Sequence, residues 1–126
     1  MTFTGTVERG KQMGRQLGFP TANIRPEGSP ALPENGVYAA AVLLEGEAAP
    51  RPCMLNQGVH PTLPEGKPTI EAHLLNYEGD LYGLRVRVEY LRFLRPERRF
   101  DSLDALKAQL NRDLEATRDW FRAHPL

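Results

Sequence analysis

The chain has one cysteine in 126 residues, Cys53, so no disulfide can form within it. A single thiol with no evident catalytic partner in the sequence is read as a small buried apolar residue, and a reducing, cytoplasmic setting is expected. Long hydrophobic runs are absent too. No segment is apolar enough to span a bilayer or to form a secretory leader, so no membrane partner is expected. There is no excess of charge of either sign: Lys plus Arg and Asp plus Glu each number 16. That balance argues against nucleic acid as a partner, because such binding needs a basic surface. It leaves room for a small anionic ligand held by a local cluster. No stretch is polar and repetitive enough to be disordered, and no repeat or linker divides the chain. A single domain over 1–126 is expected, long enough to bury one core.

Glycine and proline, by contrast, are plentiful, at eleven each. They punctuate short apolar runs, which suits a loop-rich β protein. Phe3–Val7 reads as a first short strand. Glu8–Arg25 has Gly10, Gly14, Gly18 and Pro20 and no apolar period, and reads as one long ordered loop, a length usually kept for function. Gly36–Gly46, introduced by the turn signal "ENG", and Cys53–Gly58 read as core strands. Thr69–Tyr77 alternates, with Ile70, Ala72 and Leu74 on one face and Glu71, His73 and Leu75 on the other. Leu84–Leu94 also alternates, with Leu84, Val86, Val88 and Tyr90 against Arg85, Arg87 and Glu89. A helix then starts with Asp101 or Ser102 as its cap and carries an apolar stripe of Leu103, Leu106, Leu110, Leu114 and Phe121. Trp120 is read as a packing residue, and Tyr82 and Phe93 as core or rim aromatics. Five or six antiparallel strands with one helix and no βαβ rhythm favour a closed barrel.

Three clusters carry possible chemistry. The first is the long loop with "GFPTAN". Its glycines permit close backbone approach to a ligand, and Arg9, Lys11 and Arg15 bring positive charge. Thr21 and Asn23 offer oxygens of the kind a hard cation takes, although two neutral ligands need phosphate oxygens beside them. The order of residues is not that of a Walker A loop. On the residues alone, a structural Gly-rich loop with a Thr/Asn turn accounts for the segment equally well. The second is Glu71 with His73, a general base and its neighbour or a solvent-facing pair. The third is "LRPERRFDSL", where Arg95, Arg98 and Arg99 surround Phe100 ahead of a helix start. Guanidinium groups and an aromatic face suit a heterocycle or a phosphate, and a basic solvated loop would look the same.

In combination and in order, "GTVERGKQMGRQLGFPTANI", "NGVYAA", "NQGVHPT", "TIEAHLLNYEGDLYG" and "LRFLRPERRFDSLDALKAQLNRD" resemble the riboflavin kinase family. That domain stands alone in eukaryotes and forms the C-terminal half of bacterial bifunctional riboflavin kinase/FAD synthetases. The resemblance implies a mainly β fold, a six-stranded antiparallel Greek-key barrel with a C-terminal α-helix. It implies transfer of the ATP γ-phosphate to the ribityl 5′-hydroxyl of riboflavin, giving FMN and ADP, with Mg²⁺ or another divalent cation. Glu71 matches the family's catalytic base, and Thr21 and Asn23 its metal–nucleotide residues. Gly10, Arg15, Leu74, Asn76 and Tyr82 match nucleotide positions, and Arg95, Arg98, Phe100 and Leu103 flavin positions. Gln57 departs from the family, which usually has an aliphatic residue there; facing the core its amide needs a partner, and facing the site it alters ligand contact. Nothing resembles the adenylyltransferase motifs of the bifunctional enzymes, so FAD synthesis is not expected, and that domain is a missing partner if the chain is cut from a longer one. The alternative is a catalytically inactive flavin- or nucleotide-binding regulatory module. The joint presence of Thr21, Asn23 and Glu71 argues against it.

Overall fold

The structure, a computed structural model, describes residues 1–9, 18–59 and 67–126. Six strands are formed: β1 Thr2–Glu8, β2 Ala22–Pro26, β3 Gly36–Leu44, β4 Arg51–Val59, β5 Pro68–Leu74 and β6 Arg85–Pro96. They close into an antiparallel barrel in the order β1-β2-β5-β4-β3-β6. Within it β3, β4 and β5 are successive neighbours and β6 returns beside β3, which is a Greek key. The helix α1, Leu103–Ala123, follows; Ser102, rather than Asp101, is its cap, accepting from the Ala105 amide at 3.0 Å.

The expected long loop is corrected at its far end. Residues 22–26 are a strand, which pairs with β1 and, through only two residue pairs, with β5. Just one of its side chains, Ile24, is buried. A five-residue strand with one buried position shows no alternation to read, and its pairing partners create it.

The inside of the barrel is filled. Phe3, Tyr38, Leu55, Ile70 and Val88 are among the side chains that meet there. Cys53 joins them, fully buried, and burial raises its thiol pKa, as expected of an inert core residue. The alternation read in β5 and β6 holds: Ile70, Ala72 and Leu74 point inward, as do Val86 and Val88. In β3 eight of nine residues are buried, because its outer face is covered as well. There Val37 and Met54 pack with Phe19 and Leu110, and Leu94, Leu106 and Leu114 border the cluster. The helical stripe is thus a second, external core. Its first and last members, Leu103 and Phe121, are not part of it, and Leu103 stands 59% exposed. Trp120 is half-buried and packs on Phe121 and His124 at the end of the chain. Tyr82 and Phe93 are rim residues, both exposed.

Gln57 faces the core, and its partners are present. Its Nε2 donates to the Pro33 carbonyl at 2.9 Å and to Asn35 Oδ1 at 3.1 Å. Its Oε1 accepts from the Tyr90 hydroxyl at 2.6 Å. Tyr38 donates to the Glu34 carbonyl beside this network. The amide therefore ties the segment before β3 across one end of the barrel. Gln57→Leu keeps the volume and leaves the Tyr90 hydroxyl and the Pro33 carbonyl without partners. It is expected to cost about 1–3 kcal/mol, read as a lower urea midpoint at unchanged slope.

Candidate active site

Residues directly opposite one another in an antiparallel sheet share a face. Glu8 lies opposite Asn23, Asn23 opposite Glu71, Glu71 opposite Asn56, Asn56 opposite Val37, and Val37 opposite Arg95. One row on the outer face of the barrel therefore crosses all six strands. It carries two carboxylates, two carboxamides and a guanidinium. From Glu71 to Arg95 it covers three strand spacings, about 14 Å of barrel surface.

At one end of the row is a cleft of about 460 Å³. It opens where the short β2–β5 seam ends, and Thr21, Asn23, Glu71, Leu74 and Tyr82 all line it. Gly18, at φ 84°, turns the chain into this wall in the left-handed region that glycine tolerates. Asn76 is at the turn after β5, exposed and itself left-handed at φ 53°, and is not among the residues lining the cleft. Gly10 and Arg15 lie outside the described residues. Glu71 is half-buried, and that burial raises its carboxyl pKa above the usual carboxylate value.

In and beside the cleft are residues the sequence did not single out. Glu8 lines it as the register partner of Asn23. Arg9, read only as nearby charge, has its guanidinium 4.2 Å from the centroid of the Tyr82 ring. Asn56 flanks Glu71 on the side away from Asn23. The signal for Glu8 and Asn56 is cross-strand register, which no single strand displays.

At the other end of the row is the segment after β6. Arg98 is 5.1 Å and Arg95 5.7 Å from the Phe100 ring. Arg95 is more constrained than a free ligand contact would be. Its Nε and Nη2 clamp the carboxylate of Asp113 on α1, with Nη2–Oδ2 at 2.8 Å, and Gln109 donates to the same carboxylate at 2.9 Å. Glu97 accepts from the Val59 amide at 2.7 Å, tying the segment to the end of β4. Gly58 permits this approach: a Cβ there would stand 2.2 Å from the Glu97 carboxylate. Leu103 is exposed above this end.

A barrel with a polar row and two loop-lined ends describes the geometry without a substrate. The riboflavin kinase family model matches residues 1–121. The chain belongs to the riboflavin kinase family. Among proteins similar to it is the bifunctional riboflavin kinase/FMN adenylyltransferase of Escherichia coli (strain K12), 43% identical over 119 residues, covering 94% of this chain and 37% of that protein. The protein of the same name from Listeria monocytogenes is 36% identical over 121 residues, covering 95% of this chain and 38% of its own length. The chain thus spans little more than a third of the curated relatives it matches.

Among solved structures, riboflavin kinase from Trypanosoma brucei superposes with a TM-score of 0.63 at 27% identity, covering 96% of this chain and 79% of that one. A structure described as a macrolide-efflux protein from Streptococcus pneumoniae superposes at 0.84 with 32% identity, covering 94% of this chain and 38% of that one. The barrel interior of this riboflavin kinase family member is packed with side chains. Among the described residues no helix is long and apolar enough to cross a membrane.

Proposed function

We propose that this domain transfers the ATP γ-phosphate to the ribityl 5′-hydroxyl of riboflavin, yielding FMN and ADP. The observation that carries the reading is the pairing of Asn23 directly opposite Glu71 at a cleft that Thr21 also lines. A nucleotide-side carboxamide and a half-buried carboxylate are thereby held on one rigid face. Phosphoryl transfer asks mainly for positioning and charge neutralisation. Glu71 accepts the hydroxyl proton as the oxygen attacks. Tyr82, with Arg9 against its ring, and Leu74 border the nucleotide; Gly10, Arg15 and Asn76 are assigned to it on the family resemblance alone. Phe100, Arg98 and Leu103 hold the flavin ring, so the ribityl chain runs back along the row to Glu71. Arg95 supports this end from its clamp on Asp113.

The donors on the nucleotide side are the Thr21 hydroxyl and the Asn23 carboxamide, both hard oxygens that suit Mg²⁺. Among the described residues no group of three or more His, Cys, Asp or Glu side chains is arranged to hold a metal. Neutral donors of this kind fit an ion that arrives with the nucleotide, whose phosphates supply the charge. When bound, the ion neutralises phosphate charge.

The test is FMN formation from riboflavin and Mg²⁺–ATP, followed by chromatography. FMN is expected to accumulate without FAD. Thr21→Ala and Asn23→Ala are each expected to raise the KM for Mg²⁺–ATP at least about tenfold, in line with the loss on disturbing a metal's surroundings, with the KM for riboflavin little changed. Unchanged ATP and metal dependence in both variants refutes the assignment of these two residues.

A further inference from the structure

His73 shares the outer face of β5 with Glu71, two residues away, and the reading above gives it no task. The seam it borders is the weakest in the barrel. β2 and β5 share two residue pairs, Ala22 with Ala72 and Asn23 with Glu71, whereas β4 and β5 share seven. One step beyond that ladder the register would set Thr21 against His73, and the ladder does not extend to that pair. The imidazole takes the place of the missing rung: its Nδ1 lies 2.7 Å from the Pro20 carbonyl oxygen. A carbonyl only accepts, so Nδ1 carries the proton and donates. The ring also has neighbours on two sides. Phe19 meets it edge-on at 5.8 Å between centroids and 70° between planes. Met54 is its register partner on β4. Phe19 and Met54 belong to the external core beneath α1.

We infer that His73 is a positioning residue for the nucleotide end of the site: its imidazole latches the Pro20 carbonyl and so sets the orientation of Thr21. The peptide unit is planar, so fixing the carbonyl of Pro20 also fixes the amide of Thr21 and the position of its Cα; with Ala22 held in the ladder on the other side, little rotation is left to the Thr21 side chain. Pro20 has no N–H of its own, so this carbonyl is the one hydrogen-bonding group its backbone offers. Asn23 needs no such help, because it lies within the ladder. The latch rests on the reading of Thr21 as a nucleotide-side residue.

The experiment uses the full chain and measures binding rather than turnover. Mg²⁺–ADP affinity is taken by calorimetry, riboflavin affinity by fluorescence quenching, and folding by thermal melting. His73→Ala is expected to weaken Mg²⁺–ADP about tenfold, the loss of one well-placed hydrogen bond, and to leave riboflavin affinity within about twofold. His73→Asn places an N–H close to where Nδ1 stood and is expected to restore most of the loss. His73→Gln, whose amide reaches the Nε2 position instead, is not. The inference is overturned if His73→Ala binds Mg²⁺–ADP as the parent does while Thr21→Ala does not; the nucleotide reading then stands without the latch. It is equally overturned if His73→Ala and His73→Asn lose both ligands alike, in step with their melting, since His73 would then serve the fold alone. If Thr21→Ala is also silent, the assignment of Thr21 to the nucleotide falls and the latch with it, and Asn23→Ala then decides whether the nucleotide reading stands.

Discussion

Glu71→Gln is expected to lower turnover by roughly 10²–10⁴-fold, the span that general-base catalysis contributes, while riboflavin and Mg²⁺–ADP still bind. Glutamine has the shape of the glutamate and cannot take the hydroxyl proton. The environment explains why a carboxylate serves as base here. Burial raises its pKa above the ordinary carboxylate value, which brings its basicity closer to that of the working pH. The acid limb of the rate profile is therefore expected above the range of an unperturbed glutamate, because protonation of Glu71 on acidification removes the base.

The same burial fixes the sign of a stability effect. The folded state holds the Glu71 proton more tightly than the unfolded chain, so stability falls as pH rises from the unfolded pKa through the folded one. At neutral pH the folded protein bears the cost of a charged, partly desolvated carboxylate, and a neutral amide in its place removes that cost. Glu71→Gln is thus expected to melt higher than the parent at neutral pH, with the gap closing at pH values below the unfolded carboxylate range. An inactive variant that is also less stable at neutral pH would mean that Glu71 is held by favourable contacts and not placed for proton transfer.

The second large effect is expected at Asp113. Its side chain is 4% exposed and that of Arg95 17%, and two guanidinium nitrogens engage the carboxylate. Asp113→Ala leaves the guanidinium desolvated and unpaired, and also removes the acceptor of Gln109. Breaking a buried pair from one side costs about 3–5 kcal/mol, measurable as a fall in the urea midpoint. Arg95 is followed by Pro96 and the segment to Phe100, so the loosening is expected to reach the flavin end and weaken riboflavin binding more than Mg²⁺–ADP binding. Asp113→Asn retains an acceptor and is expected to lose less. A loss under about 1 kcal/mol for Asp113→Ala would place this pair with weak surface ion pairs.

These outcomes separate what one strand shows from what only pairing shows. The alternation in Thr69–Tyr77 was legible because one face of β5 is core and the other is not, and the apolar stripe of α1 was legible for the same reason. β2 was hidden: "ANIRP" buries Ile24 alone, so no period exists to detect. The glutamine of "NQG" was legible as a departure needing a partner, but Tyr90, Pro33 and Asn35 are distant in sequence. The residues around Arg95 in the sequence show only a cation beside an aromatic. Its true partner is eighteen residues on, across a helix that the stripe predicted and whose docking it did not. Leu103 and Phe121 fit the stripe by spacing and fall outside the packed cluster, since spacing shows which residues share a face and not how far along the helix that face is covered. Asn56 and Glu8 enter the site through register, the one property that a strand read singly cannot carry.

The most direct test of the central claim follows the label. The chain is supplied with riboflavin, Mg²⁺ and ATP labelled either at the γ- or at the α-phosphate, and the flavin product is isolated. Label from the γ-phosphate alone is expected to appear in FMN, in equal amount to the ADP formed. Label from the α-phosphate in the flavin, or ADP released with no labelled flavin at all, would contradict it.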